Sequence, residues 1–227
     1  MPDELEAPDD PEDLYLARGP EVILARPLLT GDVLDGIVIP GLDDAPGLAI
    51  IVTHPCSMRR DGVDLADRLL TARVEAYQPV APEQWKGHWK VMPLPTLMPT
   101  PAGHLAARLD KIGLVPSGVV AAATRIACLT PYGVNLLQQR FIWHLTRFCA
   151  STSRLNETCA AVFEEADLHE EWVAHRVAAG SEVAAAAAEF HAWIRSEDSD
   201  SVRRQERLID PQRLAGIRRE MRRELGH

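Results

Sequence analysis

Within eight residues, Thr53-His54-Pro55-Cys56-Ser57-Met58-Arg59-Arg60 gathers a thiol, an imidazole and two guanidinium groups. A cysteine attacks as its thiolate, and a neighbouring imidazole or guanidinium lowers the thiol pKa enough to supply it. His54, Cys56, Arg59 and Arg60 are therefore the candidate catalytic set of a hydrolase. The base need not be local, since His88, His104 and His144 are also available. The plainer reading makes Cys56 a small apolar residue at a strand end. It makes Arg59 and Arg60 part of a surface turn whose charge Asp61, Asp64 and Asp67 nearly cancel.

A second set lies near the other end of the chain. Leu214, Ile217, Met221 and Leu225 recur at steps of three, four and four, with Arg218 and Arg222 beside them. This is one apolar helix stripe with a basic flank, able to dock on its own domain or on a partner protein. Leu214, Ile217, Arg218, Met221 and Arg222 are the candidate binding residues. Trp85 and Trp89 bracket the basic run Lys86 to Lys90 and would either stack on bases or fill a core. His144 falls on the apolar stripe of its own helix and reads as a core or interface histidine. His169 and His175 are six residues apart, so their imidazoles leave different helix faces and do not form a zinc pair. The four cysteines include no C-x-x-C spacing, and no metal and no cofactor is expected. Phosphate-loop, dinucleotide-binding and paired-carboxylate motifs are absent.

Positioning these residues requires two kinds of element. Leu48 to Thr53 is a continuous, β-branched run, as in a strand buried on both faces, and it delivers His54 and Cys56 at its end. Val33 to Ile39, Thr71 to Val80, His88 to Leu94, Leu105 to Val115 and Ala121 to Leu129 complete a set of short strands. Their close spacing, without βαβ intervals, predicts a small barrel or sandwich. Near residue 130 the period changes. Thr130 and Pro131 are an N-cap and a first helical position. Val134, Leu137, Phe141, Leu145 and Phe148 then form an apolar stripe. Further helices are expected from Asn156 to Gly180, from Glu182 to Arg195 and from Asp210 to Leu225, with a polar linker at residues 196–201.

Composition limits the partners. The chain carries 24 Lys and Arg against 33 Asp and Glu, a net charge of −9. That disfavours broad binding to duplex nucleic acid, whose affinity comes from phosphate neutralisation. Residues 1–25 hold eight acids and one base, and residues 201–227 hold eight arginines and four acids. The two ends could attract each other within or between chains. The N-terminus lacks the pattern of a secretory signal, and no run is long enough to span a bilayer. The expected compartment is the cytoplasm, with reduced thiols.

Gly31-Asp32-Val33 opening a strand, followed by Pro46-Gly47-Leu48-Ala49-Ile50-Ile51-Val52, resembles the start of the PemK/MazF-like toxin family over about residues 28–128. The resemblance implies an SH3-like barrel and cleavage of RNA. Ala45 stands where the family usually carries a catalytic arginine.

The expected architecture is α+β: an acidic tail over 1–27, a small SH3-like β barrel over 28–129 and a helical half over 130–227. Two functions follow. One is a non-enzymatic interaction module of a bacterial multi-protein system, of the defence or toxin–antitoxin type, which binds a protein partner or itself. The other is a nuclease-type hydrolase acting on RNA through His54, Cys56, Arg59 and Arg60.

Overall fold

The computed structural model describes residues 4–98, 104–197 and 201–226. Seven strands form one sheet: β1 (Tyr15–Arg18), β2 (Val33–Ile37), β3 (Gly47–Ile51), β4 (Arg68–Ala76), β5 (Val91–Leu94), β6 (Leu105–Pro116) and β7 (Thr124–Leu129). Their order is β1-β7-β2-β3-β4-β6-β5, and every pairing is antiparallel. The sheet curls, and side chains bridge from one outer strand to the chain leaving the other. Tyr15 donates its hydroxyl to the Pro95 carbonyl at 2.7 Å, and Arg18 Nη1 donates to the Thr96 carbonyl at 2.7 Å. A side-chain bridge of this kind restrains strand edges that would otherwise offer unpaired backbone to other chains.

The burial of β3 follows from its composition. Ala49, Ile50, Ile51 and Val52 are all buried, so both faces of the strand are covered. Around it Leu34, Ile37, Ile39, Met58, Leu69, Val115 and Val120 form a core. Each fully buried side chain of this size contributes about 1.5–3 kcal/mol. Two ion pairs are buried in the same region, Asp32 with Arg125 at 3.0 Å and Asp43 with Arg73. Burial pushes the Asp32 carboxyl above its ordinary range, while Arg125 opposes that shift.

Six helices accompany the strands among the described residues: α1 (Ser117–Ala122), α2 (Pro131–Thr146), α3 (Thr152–Ala178), α4 (Val183–Arg195), α5 (Arg204–Arg207) and α6 (Pro211–Leu225). Thr130 caps α2 as its residue type demands, its Oγ1 accepting from the Gly133 amide at 3.0 Å. Asp210 caps α6 by accepting from Gln212, and Gly226 closes it in the left-handed region.

The chain divides into two compact units. One comprises the residues through Val22 together with Leu28–Thr158; the other comprises Ile23–Pro27 and Cys159–His227. The first holds the sheet, α1, α2 and the first turns of α3. The second is helical, with a core of Leu168, Trp172, Phe190, Ile194, Leu208, Ile217, Met221 and Leu225. No helix among the described residues is long and apolar enough to cross a membrane.

The change of period near residue 130 is borne out, since all seven strands precede it and the long helices follow. Four expectations change. The unit boundary falls inside α3 rather than at 130, because the buried polar face of α2 is tied into the sheet unit: Gln138 Nε2 donates to the Val52 carbonyl at 3.1 Å. The strand expected from Ala121 begins at Thr124, with α1 before it. The helix expected from Asn156 begins at Thr152, because a distant carboxylate caps it: Thr152 N and Oγ1 donate to Glu6 at 3.0 and 2.6 Å.

The described part of the acidic tail is also not peripheral. Leu5, Pro8 and Leu14 are buried, and Tyr15–Arg18 forms a strand against β7. Gly133 makes this docking possible. A Cβ there would lie 2.5 Å from the Leu14 carbonyl oxygen, so only glycine lets the first turn of α2 come so close. Residues 1–3 of the expected tail and residues 198–200 of the expected linker lie outside the described residues.

Candidate functional site

β3 hands the chain to a short, well-anchored turn. The Val52 amide donates to the Leu70 carbonyl at 2.9 Å, Thr53 Oγ1 accepts from the Leu70 amide at 2.6 Å, and Thr30 donates its hydroxyl to the Thr53 carbonyl. A single 3-10 turn, Pro55–Ser57, follows, with Pro55 and Met58 buried beneath it.

His54 caps that turn. Its Nδ1 accepts from the Cys56 amide at 3.3 Å, so in the neutral ring the proton sits on Nε2. Burial holds this imidazole below its ordinary pKa. Cys56 is exposed, and its thiol lies 3.9 Å from the Thr158 carbonyl. A ring nitrogen of His54 and the Cys56 sulfur lie within 4.8 Å of each other. A neutral imidazole beside an exposed thiol becomes a base–nucleophile pair only when Nδ1 releases the Cys56 amide.

The two arginines do not join that pair. Arg59 Nη2 donates to the Leu28 carbonyl at 3.1 Å, and Arg60 pairs with Asp67 at 3.3 Å on an exposed surface. Two of the other candidate bases are engaged elsewhere: His88 meets Tyr77 edge-on with centroids 6.0 Å apart, and His144 packs on Trp89 at 5.6 Å.

The docking stripe proposed on α6 faces inward. Ile217 and Met221 are fully buried and Leu214 is partly buried, all in the core of the helical unit. Arg218 reaches Glu164 at 2.8 Å and Glu171 at 3.6 Å, and Arg222 reaches Glu171 at 3.7 Å. α3 and α4 supply the apolar surface that the stripe needs, so Leu214, Ile217 and Met221 are core residues rather than a partner site.

The C-terminal end of α2 departs from expectation in the opposite sense. Val134 and Leu137 are buried, but Leu145 is 59% exposed and Phe148 52%. Arg147 ends the helix in the left-handed region and places its guanidinium 3.7 Å from the Trp89 ring centroid. Lys90 lies 5.1 Å from the same ring. Burial, with the Arg147 and Lys90 charges adding to it, holds the His144 imidazole below its ordinary pKa. Exposed Leu145 and Phe148 therefore flank in sequence an arginine that lies, with Lys90, against a half-buried indole.

The run Trp85 to Lys90 was the sequence signal for this surface, and the structure divides its two tryptophans. Trp85 is buried, donates Nε1 to the Val80 carbonyl at 3.3 Å and carries the Arg140 guanidinium 5.1 Å from its ring. Trp89 is half-buried, with Arg147 and Lys90 against its ring.

The buried polar face of α2 escaped the sequence reading. Arg140 is fully buried, with Nη2 donating to the Glu6 carbonyl at 2.6 Å, and burial lowers its pKa to about 10. Gln139 Nε2 donates to the Ala150 carbonyl at 2.8 Å and to Glu6 at 3.1 Å. Polar residues inside a helix ordinarily read as solvent-facing, and only their distant partners reveal otherwise. No protein-family model matches the chain, and no curated protein matches it in sequence.

Proposed function

We propose that this protein is a non-enzymatic interaction module of a bacterial multi-protein system, and that the end of α2 is its partner-binding surface. The observation that carries this reading is the exposure of Leu145 and Phe148 beside the Arg147–Trp89 stack. Aromatic and Arg side chains are the residues that most often dominate binding energy at interfaces. Lys90 and Arg147 select an acidic partner, and the two apolar side chains supply its anchor.

The test is capture from an extract of the source organism by the intact chain and by a Leu145→Ser, Phe148→Ser variant of unchanged circular dichroism. The reading predicts that an acidic protein is retained by the intact chain and lost with the variant. Equal retention by both, or no retained protein, overturns it.

A second reading is favoured by one specific observation, the closeness of the His54 ring to the exposed Cys56 thiol. On this reading the sheet is an SH3-like barrel of the PemK/MazF-like kind and the protein hydrolyses RNA. Gly31-Asp32-Val33 at the start of β2, and the Pro46–Val52 run that contains β3, support it. RNA cleavage that disappears in both Cys56→Ala and His54→Ala is the expected result. Cleavage that persists in either variant, or is absent from the intact chain, removes it.

A further inference from the structure

An open cleft of about 670 Å³ lies between the starts of α2 and α3, lined among others by Asp13, Thr130, Tyr132, Asn135 and Asn156. Helix starts ordinarily invite anions, through free amides and the positive end of the dipole. Here the chain has already used several of those amides. Thr130 takes the Gly133 amide, Glu6 takes the Thr152 amide, and Ser151 takes the Arg154 amide at 3.3 Å.

The cleft also offers acceptor chemistry and, at Asp13, a negative charge. Asn135 is 2% exposed; its Nδ2 donates to Asn156 Oδ1 at 3.3 Å, but its own Oδ1 receives no hydrogen bond from any described residue. Such an unmatched buried acceptor costs about 1–3 kcal/mol unless a donor reaches it. Asn156, which accepts from Asn135 Nδ2, is exposed and lines the same cleft. Burial, more than any charge, raises the Tyr132 pKa; Glu6, Asp9 and Asp13 add to that shift and Arg140 opposes it.

We propose that this cleft binds a small organic cation bearing N–H donors, a primary ammonium or a guanidinium. One N–H donates to Asn135 Oδ1, the charge faces Asp13, and the Tyr132 ring carries the cation or its alkyl stem. The site is separate from both the His54–Cys56 turn and the end of α2.

The test is isothermal titration of the full chain with agmatine. Tetramethylammonium serves as a cation without N–H, and acetate as an anion. Saturable binding of agmatine alone is expected, weakened at least tenfold by Asn135→Leu. Asp13→Asn, at an exposed position that leaves the fold intact, is expected to weaken it by a similar factor. Equal binding of tetramethylammonium, binding of acetate instead, no saturable agmatine binding, or affinity unchanged in Asp13→Asn each overturns the proposal.

Discussion

α2 and α6 carry apolar stripes of the same grammar, with steps of three and four, yet they end in opposite environments. Ile217, Met221 and Leu225 of α6 are buried against Trp172, Phe190 and Ile194, whereas the stripe of α2 begins buried at Val134 and Leu137 and finishes exposed at Leu145 and Phe148. A period of 3.6 specifies which residues share a face. It does not specify how far along the helix a neighbour extends. The arginines reinforce the contrast. Arg218 and Arg222 are paired with acids on α3, while Arg147 lies over an indole. An Arg-rich helix can thus be an internal brace, and an Arg on an aromatic ring occurs both in the interior, at Arg140 and Trp85, and beside exposed apolar neighbours, at Arg147 and Trp89.

The comparison is most easily broken by truncation. Met221→Ala should cost the helical unit about 2–5 kcal/mol, because it removes a fully buried side chain and leaves a cavity. Urea denaturation followed by far-ultraviolet circular dichroism reads this directly, and a loss under about 0.5 kcal/mol would mean that α6 is not seated as described.

Acidification gives an intermediate effect at α2 and at the turn after β3 but none at α6, which contains no histidine. The folded-state pKa of His144 lies below its ordinary 6.5, as does that of His54. Below about 6.5 the unfolded chain therefore takes up protons that the folded chain still refuses. The stability these neutral imidazoles contribute is present above 6.5 and is lost as pH falls from there toward their folded-state values. The melting temperature should accordingly drop more between pH 7 and pH 5 in the intact chain than in a His54→Gln, His144→Gln variant; parallel curves would show that neither ring is held neutral.

The smallest effect is expected at the exposed end of the stripe. Leu145→Ala and Phe148→Ala should each leave stability within about 0.5 kcal/mol of the intact chain, as surface substitutions do. Guanidinium denaturation checks this, and a loss near that of Met221→Ala would place these side chains in a core.

Local chemistry was legible wherever it needed only neighbours in sequence. Thr130 and Asp210 act as helix caps, Gly226 ends α6, and the apolar run before Thr53 is a strand buried on both faces. The His54–Cys56 pair was equally legible, because two residues of separation and one proline already bring the groups together. Arg60 was legible as part of a charge-balanced surface turn with Asp67, whereas Arg59 was not, since the Leu28 carbonyl that holds it comes from outside that stretch. The acidic N-terminal segment was misread for a related reason. Leu5 and Leu14 are too sparse to form a periodic signal, and their burial depends on α2 offering Gln139, Arg140 and the open face of Gly133.

By itself, the order of residues determined where strands give way to helices, the local caps at Thr130 and Asp210 and which apolar side chains share a face. These follow from dihedral preferences, backbone hydrogen bonding and the cost of wetting apolar surface, all of which act over a few residues. Only the tertiary structure decided which stripe found a cover and which did not. It also decided that Glu6 caps a helix 146 residues away and that Asn135 is buried with an unmatched acceptor. Each of those outcomes depends on a partner supplied from far along the chain, and no local preference encodes its arrival.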